Sequence, residues 1–177
     1  VVLIPFGGGS NIAGCLDSRD RENRLVVSLD MCRMHRVLEV DQYSLTARIQ
    51  PGVYGQHMED QLAGHGVTLG HFPDSFLHST LGGWVATRSA GMQSDLYGKI
   101  EDMVISLRMV TPSGTIITRT VPKSSNGIDV RHLCIGSEGI FGVITEVVMQ
   151  VHHLPEYEDW FGWLFPDFES GIAAIHE

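Results

Sequence analysis

Three segments of small and hydroxyl-bearing residues are spaced along the chain where main-chain N–H groups could hold an anion. The first is Pro5, Phe6, Gly7, Gly8, Gly9, Ser10 and Asn11, directly after the apolar run 1–4. The second, 74–91, carries Asp74, Ser75, Phe76, Leu77, His78, Ser79 and Thr80, then Gly82 and Gly83, then Thr87, Arg88, Ser89 and Ala90. The third, 136–144, holds Gly136, Ser137, Glu138, Gly139, Ile140, Phe141, Gly142, Val143 and Ile144. Glycine has no Cβ and lets a ligand rest on backbone amides, so such runs suit a pyrophosphate, with the hydroxyls of Ser10 and Thr80 as further donors. Taken alone, the triplet at 7–9 also reads as a flexible loop.

Familiar phosphate-loop patterns are absent. No Gly-Lys-Ser/Thr follows the triplet, and Ile12 stands where a G-x-G-x-x-G string begun at Gly7 needs its last glycine, which weakens both a Rossmann and a kinase-like reading. Arg88 is either an ion-paired surface residue or, enclosed by Gly82, Gly83, Ser89 and Gly91, a fixed positive charge beside the ligand. Asp74 and Glu138 could each accept from ribose hydroxyls; Asp74 could instead cap a helix, and Glu138 could tie down its own loop. Glu101 and Asp102 read as fixing the turn at Tyr97 and Gly98. His71 and His78 flank the ligand segment and could carry a proton or be structural. His152 and His153 have no third ligand in view, and no metal site is expected.

The elements that would position these groups are legible in part. Runs 1–4 and 25–29 read as strands, with the charged 17–24 as an exposed loop between them. Two more strands follow; in 44–50 the apolar Leu45, Ala47 and Ile49 alternate with Thr46, Arg48 and Gln50 until Pro51 and Gly52 end the run. Residues 55–63 read as a helix with Met58 and Leu62 on one face, ended by Gly64 and Gly66. A short helix within 80–90 should turn its N-terminus toward the glycine loop. Segments 105–109 and 115–118 form a hairpin around 111–114, part of an antiparallel sheet, and a short element at 130–135 precedes a long strand over 142–151. Beyond it, 160–165 reads as a strand and 167–176 as a helix capped by Asp167. The order is α+β without βαβ alternation.

Composition fits a soluble globular domain: 177 residues, 43% hydrophobic and 19% charged. A net charge of −9, from 21 acidic against 12 basic residues with no basic block, argues against a nucleic-acid partner. No apolar run approaches the roughly 20 residues that span a bilayer. Cys15, Cys32 and Cys134 show no C-x-x-C spacing, so neither a disulfide framework nor a zinc site is indicated. Opening on Val1 inside an apolar strand and stopping inside a helix, the chain is expected to be a piece truncated at both ends and poorly soluble alone.

The three segments, together with the P-D-S at 73–75, S-T-L-G-G-W-V-A-T-R at 79–88, Y-G-K-I-E-D at 97–102 and G-S-E-G-I-F-G-V-I-T-E at 136–146, resemble FAD-binding domains of the vanillyl-alcohol oxidase, or PCMH, type. The resemblance implies two packed α/β subdomains with a mixed or antiparallel sheet, an FAD-binding domain over 1–154 lacking its N-terminal part, and the start of a substrate-covering cap domain at 155–177. It also implies that the flavin contacts fall on 5–11, 74–80, 87–90 and 138–144. Where members that bind flavin covalently have a histidine in the first loop, this chain has Gly8, Gly9 and Ser10, so FAD would be held non-covalently.

Within the family the motifs are most similar to the ether-lipid synthases, which exchange the acyl chain of acyl-dihydroxyacetone phosphate for a fatty alcohol. That likeness implies lipid substrates, a homodimer, a peroxisomal address, membrane-surface contact through other parts of the protein, and catalytic residues beyond position 177. Relatives that oxidise 2-hydroxy acids carry an Asn-Ala-Gly-Gly-like string where this chain has Thr87, Arg88 and Ser89. An enzyme of that class, or a non-catalytic flavin-fold module, is the alternative.

Overall fold

Strand periodicity builds the centre of the molecule. Ala47 and Ile49 of one alternating strand pair with Met149 and Val147 of another, and Leu107 sits opposite Val147 on the far side, so all five fall on one face and are buried. In chain order the structure, a computed structural model describing residues 1–17, 23–125 and 127–176, begins with β1 (Val2–Phe6), β2 (Val26–Asp30), β3 (Val37–Asp41), β4 (Thr46–Ile49), α1 (Gly55–Ala63) and β5 (Val67–Thr68). It continues through α2 (Leu81–Thr87), α3 (Ser94–Tyr97), α4 (Ile100–Met103), β6 (Val104–Thr111), β7 (Gly114–Ile117) and α5 (Val130–Cys134), and closes with β8 (Val143–Gln150), β9 (His152–His153) and α6 (Phe168–His176).

Five strands form an antiparallel sheet in the order β3-β4-β8-β6-β7, β1 and β2 form a parallel pair, and β5 pairs with β9. This is the mixed α+β architecture expected. Met58 and Leu62 of α1 and Leu81, Trp84 and Val85 of α2 join the buried sheet residues in one core. The β6–β7 hairpin turns where anticipated, with Thr111 opposite Gly114. The loop expected over 17–24 lies mostly outside the described residues.

At the C-terminal end the sequence expectation divides. Asp167 caps α6 as anticipated, its Oδ1 accepting from the Ser170 N–H at 2.8 Å. Residues 160–165, however, form no strand. Their aromatic character mimics a buried strand, but no sheet edge pairs with them, and Trp160, Phe161, Trp163 and Leu164 are all exposed.

What places the site is α2, which is fastened at both ends. At its start, Leu81 N–H donates to the Val53 carbonyl (3.1 Å) and Gly82 N–H to the Pro51 carbonyl (2.7 Å), while Gly55 N–H reaches the Ser79 carbonyl (3.3 Å). At its end, Gly136 N–H donates to the Val85 carbonyl and Glu138 N–H to the Ala86 carbonyl, each at 2.9 Å. One short helix therefore ties the corner after β4 to the loop before β8.

Candidate cofactor site

Glycine 8 shows how closely two of the sequence segments meet. A Cβ there would overlap the His78 carbonyl oxygen and lie 2.7 Å from the Ser79 Cα, and one on Gly7 would collide with the Thr80 hydroxyl. Gly9 has φ +75 and lies over the Phe6 ring. The loop after β1 is thus laid directly on the start of α2, a contact only glycine permits. From the opposite side comes the 136–142 loop, where Glu138 and Gly139 both take positive φ.

Between these three segments lies a cavity of about 350 Å³. Pro5, Gly7, Gly8, Gly9, Ser10 and Asn11 line it from the first segment; Ser75, Ser79, Thr80, Thr87 and Ser89 from the second; Glu138, Gly139, Gly142, Val143 and Ile144 from the third. Further lining comes from residues not assigned in advance. Ile4, Ile12, Leu16 and Met31 make an apolar wall, Cys15 and Ser137 add polar groups, and Pro51, Gly82, Gly83, Trp84 and Ala86 form the floor. Gly82, Gly83, Trp84, Ala86 and Ser137 carried a signal, since they lie inside the quoted motifs; Pro51 gave none beyond ending a strand.

The other anticipated contacts face elsewhere. Phe6 supports Gly9 from below, Phe76 stacks near-parallel on Trp84 with ring centres 6.2 Å apart, and His78 offers its main chain to Gly8. Asp74, Leu77, Ala90, Ile140 and Phe141 do not line the cavity; Leu77 and Ile140 are largely solvent-exposed. Arg88 also points away: its guanidinium lies against Glu101 and the His132 carbonyl, so the ion-paired alternative describes it. Glu101 accordingly does not fix the turn at Gly98. Asp102 does, accepting from the Lys99 N–H at 2.9 Å and packing against Gly98.

Unused hydrogen-bonding capacity shows what the cavity can hold. Among the described residues, no backbone N–H from Gly7 through Asn11 donates to another protein group, and the Ser137 hydroxyl is buried without a partner. The loop amides are open to the cavity and free to donate to a ligand there, and the Ser137 hydroxyl is a buried polar group of the kind seldom left unpaired. The expected contribution of the α2 N-terminus is smaller than the sequence suggests, because Leu81 and Gly82 spend their amides on Val53 and Pro51. Five loop amides, the hydroxyls of Ser10, Thr80 and Ser137, and an apolar wall suit a dinucleotide: donors for the diphosphate and a dry surface for a flat ring. Among the described residues no His, Cys, Asp and Glu cluster could hold a metal ion.

Behind the floor, His71 is 1% exposed, its ring edge-on to Trp84 at 5.0 Å and its Nε2 3.1 Å from the Ser89 hydroxyl that lines the cavity. Burial penalises the imidazolium and pushes the pKa down from 6.5 to about 4. Between those two values the unfolded chain takes up a proton that the folded chain refuses, so stability falls as pH drops through that window, by at most about 3 kcal/mol at its lower end. Denaturant midpoints at pH 7 and pH 4.5 should differ less for His71→Asn than for the wild type; an equal difference would show that His71 does not titrate in this way.

A family model described as an FAD binding domain matches residues 1–120. The alkyldihydroxyacetonephosphate synthase of Dictyostelium discoideum is 51% identical over 177 residues, covering 100% of this chain and 29% of that protein. The enzyme of the same name from Trypanosoma brucei brucei is 44% identical, covering 99% and 29% respectively. A solved structure of an alkyldihydroxyacetonephosphate synthase superposes with a TM-score of 0.84 at 53% identity, over 88% of this chain and 28% of that one. The chain therefore spans less than a third of the length of these relatives.

Proposed function

Since the chain belongs to the FAD-binding domain family, we propose that it is the cofactor-holding portion of an alkyldihydroxyacetonephosphate synthase, with residues 1–154 forming the flavin domain and 155–177 opening the substrate-covering one. The overall reaction would consume acyl-dihydroxyacetone phosphate and a fatty alcohol and yield alkyl-dihydroxyacetone phosphate and a fatty acid. The observation that carries the reading is the meeting of three separate motifs around one cavity lined by undonated amides, in a chain about half identical to proteins of that name. The same kinship supports a peroxisomal address and a homodimer as parts of the proposal.

Bound FAD would supply the redox chemistry that makes the carbon bearing the acyl group open to exchange. This chain's residues hold it. The amides of 7–11 and the hydroxyls of Ser10, Thr80 and Ser137 would donate to the diphosphate, and Ile4, Met31, Val143 and Ile144 would exclude water from the apolar part. No histidine lies in the first loop, so attachment there is non-covalent.

Full-length protein given acyl-dihydroxyacetone phosphate and hexadecanol should release alkyl-dihydroxyacetone phosphate and fatty acid. Flavin-loaded protein that forms neither product would refute the synthase reading. Flavin bleaching by lactate or glycolate without oxygen would instead place the chain with the 2-hydroxy-acid oxidising enzymes.

A further inference from the structure

Arg88 closes α2 with φ +53, in the left-handed region where a helix end ordinarily carries glycine or asparagine. An arginine here accepts a less favourable backbone, and its side chain is spent on a defined set of contacts. Its aliphatic portion crosses Gly136 so closely that a Cβ on that glycine would lie 2.7 Å from Nε and 2.8 Å from Cγ. At the tip, Nη2 donates to the His132 carbonyl at 3.0 Å, and Nη1 lies 3.8 Å from Glu101 Oε1. Glu101 is mostly buried, and its second carboxylate oxygen has no hydrogen-bond partner, so Arg88 is its counter-charge. Two main-chain bonds already join the following loop to the end of α2, from Gly136 to Val85 and from Glu138 to Ala86. Arg88 adds a bracket on the outside of the same loop, while Ser137, Glu138 and Gly139 face the cavity on its inside.

We infer that Arg88 is a positioning residue, which with Glu101 fixes the 136–139 loop against α2 at the distance the cofactor requires, and that it touches neither cofactor nor substrate. This rests on the flavin assignment above. Its geometry separates folding from positioning. Arg88→Gly relieves the left-handed backbone and keeps the helix end, yet removes the bracket. Arg88→Lys keeps a positive charge near Glu101 but cannot reach it and the His132 carbonyl with the same forked geometry.

The test uses full-length protein stripped of flavin and titrated with FAD, together with thermal melting of the stripped form and substrate kinetics of the loaded form. Arg88→Gly should melt at or above the wild-type temperature yet bind FAD about tenfold or more weakly, with Arg88→Lys between the two. Glu101→Gln should weaken FAD less in the Arg88→Gly background than in the wild type, because the two side chains act as a unit. The inference is overturned if Arg88→Gly binds FAD within about twofold of wild type, or if its only defect is a raised KM for acyl-dihydroxyacetone phosphate, which would make Arg88 a substrate contact. Wild-type protein that takes up no FAD would instead sink the flavin assignment itself.

Discussion

Gly8→Ala in the full-length protein is expected to abolish useful FAD binding, weakening it by at least about a hundredfold. The added methyl would overlap the His78 carbonyl oxygen and crowd the Ser79 Cα, both main-chain atoms. Neither can retreat. His78 N–H is held by the Ser75 carbonyl at 2.8 Å, the Ser79 carbonyl accepts from Gly55, and the next residues are pinned to Val53 and Pro51. The loop over 7–11 must therefore lift, at an overpacking cost of about 1–3 kcal/mol, carrying its undonated amides away from the diphosphate they would bind. Gly162→Ala is the control, because no heavy atom lies within 4 Å of a Cβ there. Flavin titration of both stripped variants decides the matter: equal affinity for Gly8→Ala and wild type would remove the loop from the site.

A comparable loss, in stability rather than affinity, is expected from Trp84→Ala. Trp84 is 2% exposed, meets His71 at 5.0 Å and Phe76 at 6.2 Å, and donates from Nε1 to the Ser79 hydroxyl at 2.6 Å. Removing the ring empties the space between α2 and the 71–76 segment, at about 3–5 kcal/mol. Trp84→Phe keeps part of the packing, and removes the donor together with the second ring of the indole, for about 1–3 kcal/mol. Denaturant midpoints should rank wild type, Trp84→Phe and Trp84→Ala in that order. If the two variants are equal, the packing that phenylalanine retains contributes nothing to stability.

Legibility followed how much of each element's reason for existing is local. The helix over Gly55–Ala63 could be bounded from Met58, Leu62 and the two glycines beyond it, and the strand Thr46–Ile49 from its alternation, because both patterns record a single buried face. The strand Val37–Asp41 is short, mostly exposed and interrupted by a register shift, so its residues give little period to read. Pairing decides the two-residue strands at 67–68 and 152–153, since each exists only against the other. At 160–165 the converse holds: side chains typical of a strand meet no edge.

Within the site, the glycine segments were readable because close approach of backbone to backbone leaves a mark in residue type. The direction of Arg88 was not. It follows from a left-handed residue at the end of α2 and from a carboxylate on α4 that sequence spacing alone assigned to a different turn. Pro51 was equally opaque, contributing a carbonyl and a patch of floor from the end of a strand.

The fastening of α2 at both ends also bears on how fast a ligand comes and goes. With the floor and the 136–138 loop tied to one rigid helix, widening of the chamber cannot come cheaply from those two sides. The stretch 7–11 makes no main-chain bonds from its own amides and is held by close contact, by the Cys32 thiol donating to the Gly7 carbonyl and by the Cys15 N–H donating to the Asn11 side chain. Opening on that side would break fewer hydrogen bonds than opening at α2 or the 136–138 loop, and would leave the sheet below undisturbed.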